Sequence, residues 1–413
     1  MAIEDRLRDD IRELEYDLVQ LRHALHRRPE IGLDLPETQR AVLDALDGLP
    51  LEIVTGTSSS SVTAVLRGTG PTRGLSPAVL LRGDMDALPI QENTGLEFAS
   101  TIDGVMHACG HDLHTTMLVG AARLLSAHRD ALHGDVVFMF QPGEEGYDGA
   151  GHMLAEGVLD AAGPKVSRAF GMHVIAAHLP RGQFTSRAGT LMASSDGLAV
   201  TVNGVGGHGS APFRAKDPVS VAAEMITALQ TMVTRQFDIF DPIVITVGSF
   251  HAGTKRNIIP AQATFEATIR TFSVAARDRV AAASVRLCKA IADAHGLDAT
   301  VRYDTEYPPT VNDVTQTQFA LDVVTETFGA DRLTPMPNPD PGAEDFSRVL
   351  EEVPGCYLFL GSSPSDDPDS VEDNHSPTAD FDDSVIADGV LLHANLAIRS
   401  LQSLNAEVST DGR

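Results

Sequence analysis

One short stretch of the chain, residues 106–114, concentrates side chains that can bind metal ions. Cys109 and His111 are two residues apart, so both side chains project to the same side of an extended or turning segment, and Gly110 between them permits a tight turn. Thiolate, neutral imidazole and carboxylate are the usual ligands of zinc and its first-row neighbours. Because residues 115–125 are apolar at helical spacing, the stretch predicts a metal site at a helix N-terminus. The alternative is a polar loop that caps this helix, with Cys109 as a small buried apolar residue. The stretch also contains His107, Asp112 and His114.

Two adjacent carboxylates, Glu144 and Glu145, follow a predicted buried strand that ends at Phe140. Like charges repel in a dry site, so this pair is favourable if a cation binds one carboxylate and the other acts as a base. A metal ion lowers the pKa of bound water to about 7, and a neighbouring carboxylate can accept that proton. The alternative is a solvated acidic loop.

Further ligand-type residues lie at predicted strand ends and in one late loop. His173 ends a strand, and His375 lies between an acidic loop and the last helix. A lone histidine is more often a surface or core residue than a ligand, and His178 is a rival to His173. Asp84 and Asp86, two apart at a strand end, can either bind a metal or orient a ligand histidine.

The elements that must position these residues alternate between strands and helices. Strands are predicted at 62–66, 78–82, 135–140, 169–174 and 356–360. Helical patterns follow several of them, which favours an α/β fold with a mostly parallel central sheet flanked by helices. Such sheets place their sites at the carboxyl ends of the strands, where the candidate ligands lie.

The pattern changes over residues 194–306, where the predicted order is β-α-β-β-α-β. This order is that of a ferredoxin-like α+β domain, so we expect an inserted domain there. Residues 1–193 and 307–413 would then form one discontinuous catalytic domain. His208 lies on a glycine-rich turn of the insertion, a placement that favours contact with a substrate over packing.

The charge of the chain restricts its partners. Acidic residues outnumber basic ones by 57 to 31, which gives a formal net charge of −26. Nucleic acid is therefore not a predicted partner, since phosphate binding needs a basic surface. Lysine is rare compared with arginine, and the acidic residues are spread along the chain. This composition favours a halophilic protein, in which molar salt screens the repulsion between the acidic side chains. The alternative is an acidic mesophilic enzyme from a GC-rich genome.

Cysteine usage and hydropathy predict a cytoplasmic protein. Three widely separated cysteines, Cys109, Cys288 and Cys356, argue against a disulfide framework and for a reducing compartment. No apolar run approaches the roughly eighteen residues of a membrane span, so no membrane partner is predicted. The charged N-terminus, followed by an amphipathic pattern, predicts no signal peptide.

A series of motifs spans nearly the whole chain. In chain order they are Leu25-His-Arg-Arg-Pro-Glu-Ile-Gly32, Arg82-Gly-Asp-Met-Asp-Ala-Leu-Pro89, Met106-His-Ala-Cys-Gly-His-Asp112, Phe140-Gln-Pro-Gly-Glu-Glu145, Gly171-Met-His173, Gly206-Gly-His208, Asn257-Ile-Ile-Pro260, Gly342-Ala-Glu-Asp-Phe346 and Asn374-His-Ser-Pro377. Together they resemble the dinuclear metallo-amidohydrolases, which include aminoacylases, hippurate hydrolases, auxin-conjugate hydrolases and related carboxypeptidases.

The resemblance implies a zinc-peptidase-like catalytic domain, with the insertion at 194–306 as a lid and dimerisation domain. It implies two divalent metal ions (zinc, manganese, cobalt or nickel) and a homodimer, with a tetramer as the alternative. It implies Glu144 as general base on a water and Asp86 as a supporting carboxylate. The implied metal ligands are Cys109, His111, Glu145, His173 and His375.

The resemblance also implies roles for three residues of the insertion. His208 would reach the partner subunit's site and stabilise the oxyanion, and Asn257 and Arg270 would hold the substrate's free carboxylate. Asp84 stands where the wider superfamily has a ligand histidine, so whether it touches a metal stays open. Gly143 replaces the alanine that usually precedes the glutamate pair.

The predicted function is hydrolysis of the amide bond of N-acyl amino acids, such as hippurate-like or N-acetyl conjugates. One alternative is a carboxypeptidase or dipeptidase on short peptides with the same machinery. Another is an inactive metal- or ligand-binding homologue, although Glu144 would then have no use. A cysteine-nucleophile hydrolase is disfavoured because Cys109 lies among other ligand types.

Overall fold

A computed structural model describes residues 3–74 and 76–407. The predicted catalytic domain includes residues 1–2, 75 and 408–413, which lie outside the described residues. The chain divides into two compact units, the first comprising Met1–Gly189, Val311–Pro337 and Arg348–Arg413, the second Thr190–Thr310 and Asn338–Ser347. These junctions differ by four residues from the predicted ones (190 against 194, and 310 against 306), and residues 338–347 join the second unit.

Helices and strands alternate through most of the described chain. The α-helices are α1 (Ile3–His26), α2 (Pro36–Leu46), α3 (His111–Ala127), α4 (Gly149–Ala155), α5 (Pro218–Gln236), α6 (Val274–Ala294), α7 (Val314–Phe328), α8 (Ser347–Glu352) and α9 (Ile386–Glu407). The strands are β1 (Leu51–Thr55), β2 (Val62–Leu66), β3 (Ala78–Asp84), β4 (Asp135–Gln141), β5 (Arg168–Ile175), β6 (Phe184–Thr185), β7 (Gly189–Met192), β8 (Ser195–Asn203), β9 (Gly207–His208), β10 (Ile243–Ala252), β11 (Ile258–Ile259), β12 (Gln262–Thr271), β13 (Asp298–Tyr307), β14 (Thr310–Asn312) and β15 (Gly355–Gly361). Short 3-10 turns lie at Arg129–Ala131, Val158–Asp160, Pro212–Arg214, Ala330–Arg332, Pro368–Ser370 and Asp383–Val385.

The first unit is built on a seven-stranded sheet with the order β1-β2-β4-β3-β5-β15-β6. Its four central strands, β4, β3, β5 and β15, are parallel, whereas β1, β2 and β6 pair in antiparallel fashion at the two edges. Strands β3, β4 and β15 are buried along their whole length, as expected of a parallel sheet covered on both faces. The predicted α/β fold with a central parallel sheet is confirmed.

Helices α1, α3 and α9 pack together, and α3 and α9 also contact β3. Their buried leucine, valine and alanine side chains join those of the sheet in one core cluster. Because this core encloses α3, the helix that begins with His111 cannot shift without disturbing the sheet.

The second unit contains a four-stranded antiparallel sheet with the order β10-β12-β8-β13. The strands of this sheet and the two helices follow in the chain order β8, α5, β10, β12, α6 and β13, which is the β-α-β-β-α-β order that the sequence predicts, while β9 and β11 form a separate two-stranded sheet. Buried and partly exposed residues alternate along β8, so one face of the sheet packs on α5 and α6. Across residues 3–74 and 76–407, none of the helices has both the length and the apolar character that crossing a bilayer requires.

A buried ion pair stabilises the second unit. Arg277 donates from Nε to both carboxylate oxygens of Asp196, at 3.1 and 3.0 Å, and from Nη2 to Oδ1 at 2.8 Å, and the Asp196 side chain is fully buried. Tyr303 and the amide of Glu306 donate further bonds to the same carboxylate. The buried charge is thus fully compensated, which is the condition under which such a pair is tolerated.

We expect Arg277→Ala to lower the free energy of unfolding of the second unit by about 3–5 kcal/mol, because it leaves the Asp196 carboxylate buried and unpaired. Arg302→Ala is the matched control, since Arg302 pairs with Asp304 at 2.8 Å on the surface of the same unit, with 70% of the arginine side chain exposed. That change should remove less than about 1 kcal/mol. Chemical denaturation of both variants measures the difference, and equal losses would contradict the assignment.

Candidate metal centre

Cys109 and His111 lie on either side of the start of α3. Helix α3 begins at His111, four residues earlier than the apolar pattern predicts, and Gly110 precedes it with φ +80°. A Cβ atom on Gly110 would lie 2.4 Å from Cγ2 of Val174, so glycine is required there for both backbone conformation and space. This close approach brings the start of α3 against the end of β5, where His173 lies.

Four of the predicted ligand side chains meet around the Cys109 sulfur. Its Sγ lies 3.3 Å from Nε2 of His173 and 3.2 Å from Nε2 of His375, and that same His375 nitrogen lies 3.0 Å from Oε1 of Glu145. Two ligand atoms on one tetrahedral zinc ion, a thiolate sulfur and an imidazole nitrogen, stand about 3.5 Å apart. The observed separations are therefore close to those within a coordination shell.

Two groups of ligand-type residues share the Cys109 thiol. One group is Cys109, His111 and His173, and the other is Cys109, Glu145 and His375, with the ligand atoms of each group within 4.8 Å of one another. His111 also groups with Glu144 and Glu145. The sequence-predicted ligands thus form one contiguous cluster.

The chemistry of the cluster fits a metal cation. Within the described part of the chain, neither ring nitrogen of the fully buried His111 makes a hydrogen bond of good geometry, although a buried imidazole ordinarily makes one. Nε2 and Nδ1 lie 3.4 and 3.5 Å from carboxylate oxygens of Asp84 and Asp86. Hydrogen bonds to Cys109 and Glu145 raise the pKa of His375 to about 10, so this pair of groups attracts positive charge. About half of the His375 side chain is exposed, which leaves the cluster accessible from solvent on that side.

Hydrogen bonds fix the proton positions on two histidines. His173 Nδ1 lies 2.7 Å from the carbonyl oxygen of Val174, and a carbonyl can only accept, so Nδ1 carries the proton and Nε2 presents its lone pair towards Cys109. His114 Nε2 accepts from the Val174 amide at 2.8 Å, so its proton is on Nδ1 and is donated to Asp84. His173 can therefore bind a cation through Nε2, whereas both ring nitrogens of His114 are engaged in hydrogen bonds with the protein.

Asp84 is held by its neighbours. Arg82 donates from Nη1 to Asp84 Oδ2 at 2.7 Å, and His114 Nδ1 donates to Asp84 Oδ1 at 2.5 Å. Burial opposes the charge of Asp84, but the charge of Arg82, the interaction with His111 and the hydrogen bond from His114 outweigh it and hold the pKa well below its usual range. Asp84 Oδ2 is also 3.4 Å from His111 Nε2. These contacts favour a role in orienting ligand histidines.

Asp86 positions the glutamate pair. Its Oδ1 accepts a hydrogen bond from the amide of Glu144 at 2.9 Å and its Oδ2 one from the amide of Glu145 at 3.0 Å. Gly143, which departs from the usual alanine, has φ +71°, a conformation that glycine adopts readily. The buried Glu144 therefore lies in the turn that follows β4, and this turn is held by Asp86, which lies just after β3.

Of the remaining ligand-type residues of the 106–114 stretch, Asp112 has structural partners, whereas neither ring nitrogen of the buried His107 has a hydrogen-bond partner within the described residues. Asp112 accepts hydrogen bonds from Nε of Arg22 at 3.0 Å and from Nδ1 of His26 at 2.9 Å. Burial opposes protonation of His26, but the Asp112 carboxylate outweighs it and raises the His26 pKa to about 9. Burial lowers the pKa of His107 to about 3, so this imidazole is neutral. Sequence reasoning missed this network because its arginine and histidine lie on α1, far away in the chain.

The candidate substrate residues lie in the second unit. His208 in β9 pairs with Ile258 in β11, and the amide of Gly209 donates to the carbonyl of Asn257 at 2.8 Å, so His208 and Asn257 are neighbours. Arg270 lies in β12 and donates from Nη1 to the carbonyl of Ser194 at 3.3 Å. Their predicted roles towards a substrate stay predictions.

Comparison with known proteins identifies similar chains. Residues 80–399 match the family described as "Peptidase family M20/M25/M40". The chain is 36% identical to thermostable carboxypeptidase 1 of Saccharolobus solfataricus over 97% of its own length and 99% of the relative. It is 37% identical to an IAA-amino acid hydrolase of Arabidopsis thaliana, over 94% and 87% of the two lengths. A solved structure of a dinuclear metal binding peptidase of the M20 family from Bacillus subtilis has a TM-score of 0.79 and 32% identity, over 95% and 99%.

We expect Gly110→Ala to separate the ligands and abolish stoichiometric metal binding, because its Cβ would collide with Val174. Gly104→Ala is the control: Gly104 has φ +74°, but no atom of the described residues lies within 4 Å of a Cβ there. The free energy of unfolding of the control should fall by only about 1–2 kcal/mol, because alanine disfavours the left-handed backbone conformation. Metal content of the purified variants, with their unfolding free energies, tests this, and equal metal content in the two would contradict it.

Proposed function

We propose, because this chain belongs to peptidase family M20/M25/M40, that it hydrolyses the amide bond of N-acyl amino acids and releases a carboxylic acid and a free amino acid. The membership rests on the match over residues 80–399 and on relatives that align along almost the whole chain. It confirms the family resemblance and the enzyme class that the sequence predicts, a metal-dependent amidohydrolase.

One observation carries the proposal: a buried carboxylate, Glu144, lies beside a cluster of thiol, imidazole and carboxylate ligands and is held by Asp86. A protein that only binds metal needs the ligands but not the additional base. A hydrolase needs both, since the base must accept a proton from the attacking water.

In this proposal two divalent ions are held by Cys109, His111, Glu145, His173 and His375. Bound ions would polarise the amide carbonyl and lower the pKa of water. The soft thiolate and the imidazoles suit zinc, cobalt or nickel, and the carboxylate also suits manganese, so availability decides among them.

The protein groups then perform the proton transfers and the positioning. Glu144 accepts the proton of the attacking water and returns it to the nitrogen of the leaving amino acid. His208 donates a hydrogen bond to the oxygen that becomes negatively charged. Asn257 and Arg270 hold the free carboxylate, for which the planar guanidinium is a suitable bidentate donor. Asp86 acts through Glu144 as a positioning residue.

The second unit would serve as the lid and dimerisation domain of a homodimer in which His208 reaches the partner subunit's site.

We also propose a cytoplasmic location. Cys109, Cys288 and Cys356, all within the described residues, are unpaired and buried. Burial raises the pKa of Cys288 and Cys356 to about 12, which disfavours either as a nucleophile.

The second candidate function is a carboxypeptidase or dipeptidase with the same centre. It is favoured by the similarity to a carboxypeptidase, whereas the similarity to an IAA-amino acid hydrolase favours the acyl-amino-acid substrate. Both reactions attack an amide next to a free carboxylate, so the pocket for the other side of the amide decides between them.

A substrate panel distinguishes the two. We expect amine release from benzoyl-glycine, acetyl amino acids or an indole-acetyl conjugate, and none from unblocked dipeptides, in high salt with added divalent metal. A chelator should abolish release, and metal should restore it. Cleavage of dipeptides alone would assign a peptidase, and release that survives the chelator would exclude the metal mechanism.

Glu144→Gln should lower kcat by at least about 10²–10⁴-fold, the contribution typical of a general base, while the metal content stays that of the wild type. Glu37→Gln, at an exposed position of α2 in the same unit, is the control and should retain full activity. Metal analysis and initial rates on the same preparations give both quantities. Activity of the Glu144→Gln variant near that of the wild type would remove Glu144 from the role of base.

A further inference from the structure

Asn374, next to the candidate ligand His375, joins three separate segments of the metal centre. Its side-chain oxygen accepts from the amide of Ala176 at 2.9 Å. Its side-chain nitrogen lies 3.1 Å from the carbonyl oxygen of Val174, 3.4 Å from the carbonyl oxygen of Cys109 and 3.8 Å from the Cys109 sulfur. One amide group thus contacts the segments that carry Cys109 and His173 and itself precedes His375.

The orientation of this amide follows from its partners. The amide of Ala176 can only donate, so the atom that faces it must be the oxygen of Asn374. The NH₂ group must then face the two carbonyl oxygens and the Cys109 sulfur, all of which can accept. A reversed amide would place two donors together and an oxygen against two carbonyls, which would lose every one of these bonds.

The backbone at His375 needs such support. His375 has φ +68°, a conformation uncommon for any residue except glycine. Backbone strain of this kind persists where surrounding contacts determine it, and it is often found at functional sites. Here the backbone amide of His375 donates to the carbonyl of Ala108 at 2.8 Å. The residue before it, Asn374, is held by the hydrogen bond from its own side chain to the Val174 carbonyl.

We propose that Asn374 is a positioning residue that holds three metal-ligand segments in register and donates a hydrogen bond to the Cys109 thiolate. The inference rests on the proposed ligation of metal by Cys109, His173 and His375, and it assigns to Asn374 control of metal affinity and of the electron density on sulfur. Groups that orient the ligands of a metal commonly change its affinity by about 10–100-fold.

Asn312 provides a matched control within the same unit. Its side-chain nitrogen donates to the carbonyl oxygens of Arg187 and Tyr357 at 3.1 and 3.0 Å, and its oxygen accepts from the amide of Tyr357 at 2.8 Å. This asparagine therefore makes the same kinds of backbone hydrogen bond as Asn374, but it joins segments that carry none of the proposed ligands. Loss of Asn312 reports the structural effect alone.

The test is titration of the metal-free full-length protein with Co²⁺, followed through the absorption band in which charge passes from cysteine sulfur to cobalt. We expect Asn374→Ala to weaken Co²⁺ binding by about 10–100-fold and to move this band to longer wavelength, because the thiolate loses a hydrogen bond. Asn312→Ala should lower the melting temperature but leave the Kd within about twofold and the band in place.

Three results would overturn the proposal: an Asn374→Ala variant with the Kd and band of the wild type, the same changes in Asn312→Ala, or a wild-type protein without a sulfur-to-cobalt band. If circular dichroism shows that Asn374→Ala is unfolded, Asn374→Leu keeps most of the volume and is measured in the same way. Wild-type protein that shows the band but hydrolyses none of the substrates would refute the proposed function while this inference stands on its own measurement.

Discussion

The two hydrogen bonds that Asp86 accepts from the amides of Glu144 and Glu145 are the interaction on which the candidate site depends. Asp86 follows β3 and the glutamates follow β4, and these strands are parallel neighbours whose carboxyl ends lie at the same edge of the sheet. By binding two successive amides with one carboxylate, Asp86 fixes the direction in which the chain leaves β4. Both glutamates then lie by His111, the arrangement that their proposed roles as base and ligand require.

Near this pair of hydrogen bonds, buried charges are compensated by partners from both neighbouring and distant parts of the chain. Asp84 is paired with Arg82 and His114, and Asp112 with Arg22 and His26. Each carboxylate keeps its charge because the neighbouring cations outweigh the effect of burial. A buried hydrogen-bonded network of this kind favours a rigid arrangement of the candidate ligands His111 and His173 before any ligand binds.

Sequence reasoning predicted the architecture well, because the signal for it is local. The buried strands that end in polar residues and the amphipathic helices are visible as periodic patterns, and the β-α-β-β-α-β order follows from them. The local pattern predicted a site at Cys109 and His111, which are close in sequence. The family resemblance predicted that Glu145, His173 and His375 belong to the same cluster. The exposed edge strand β1 was not predicted, since four of its five residues are exposed and no buried pattern marks it.

What the sequence could not reveal are the contacts between distant residues. Nothing local shows that His114 accepts from the Val174 amide, that Asn374 reaches the Cys109 sulfur, or that Arg22 bonds to Asp112. The early start of α3 depends on the left-handed backbone of Gly110, which a hydropathy pattern does not register. Such features depend on which strand ends meet in space, and one sequence without its fold contains no direct record of that.

Cys109 contacts His375, which lies 266 positions later in the chain, and this separation has a consequence for biosynthesis. A ribosome delivers Cys109, His111, Glu145 and His173 long before His375, so the nascent polypeptide holds an incomplete set of ligands during most of its translation. Closing so large a loop is slow compared with local helix formation, and the centre is completed only when the late segment docks. In the proposed centre, the full set of ligands is therefore available only late in maturation, and a prematurely terminated chain that ends before His375 would lack one of them.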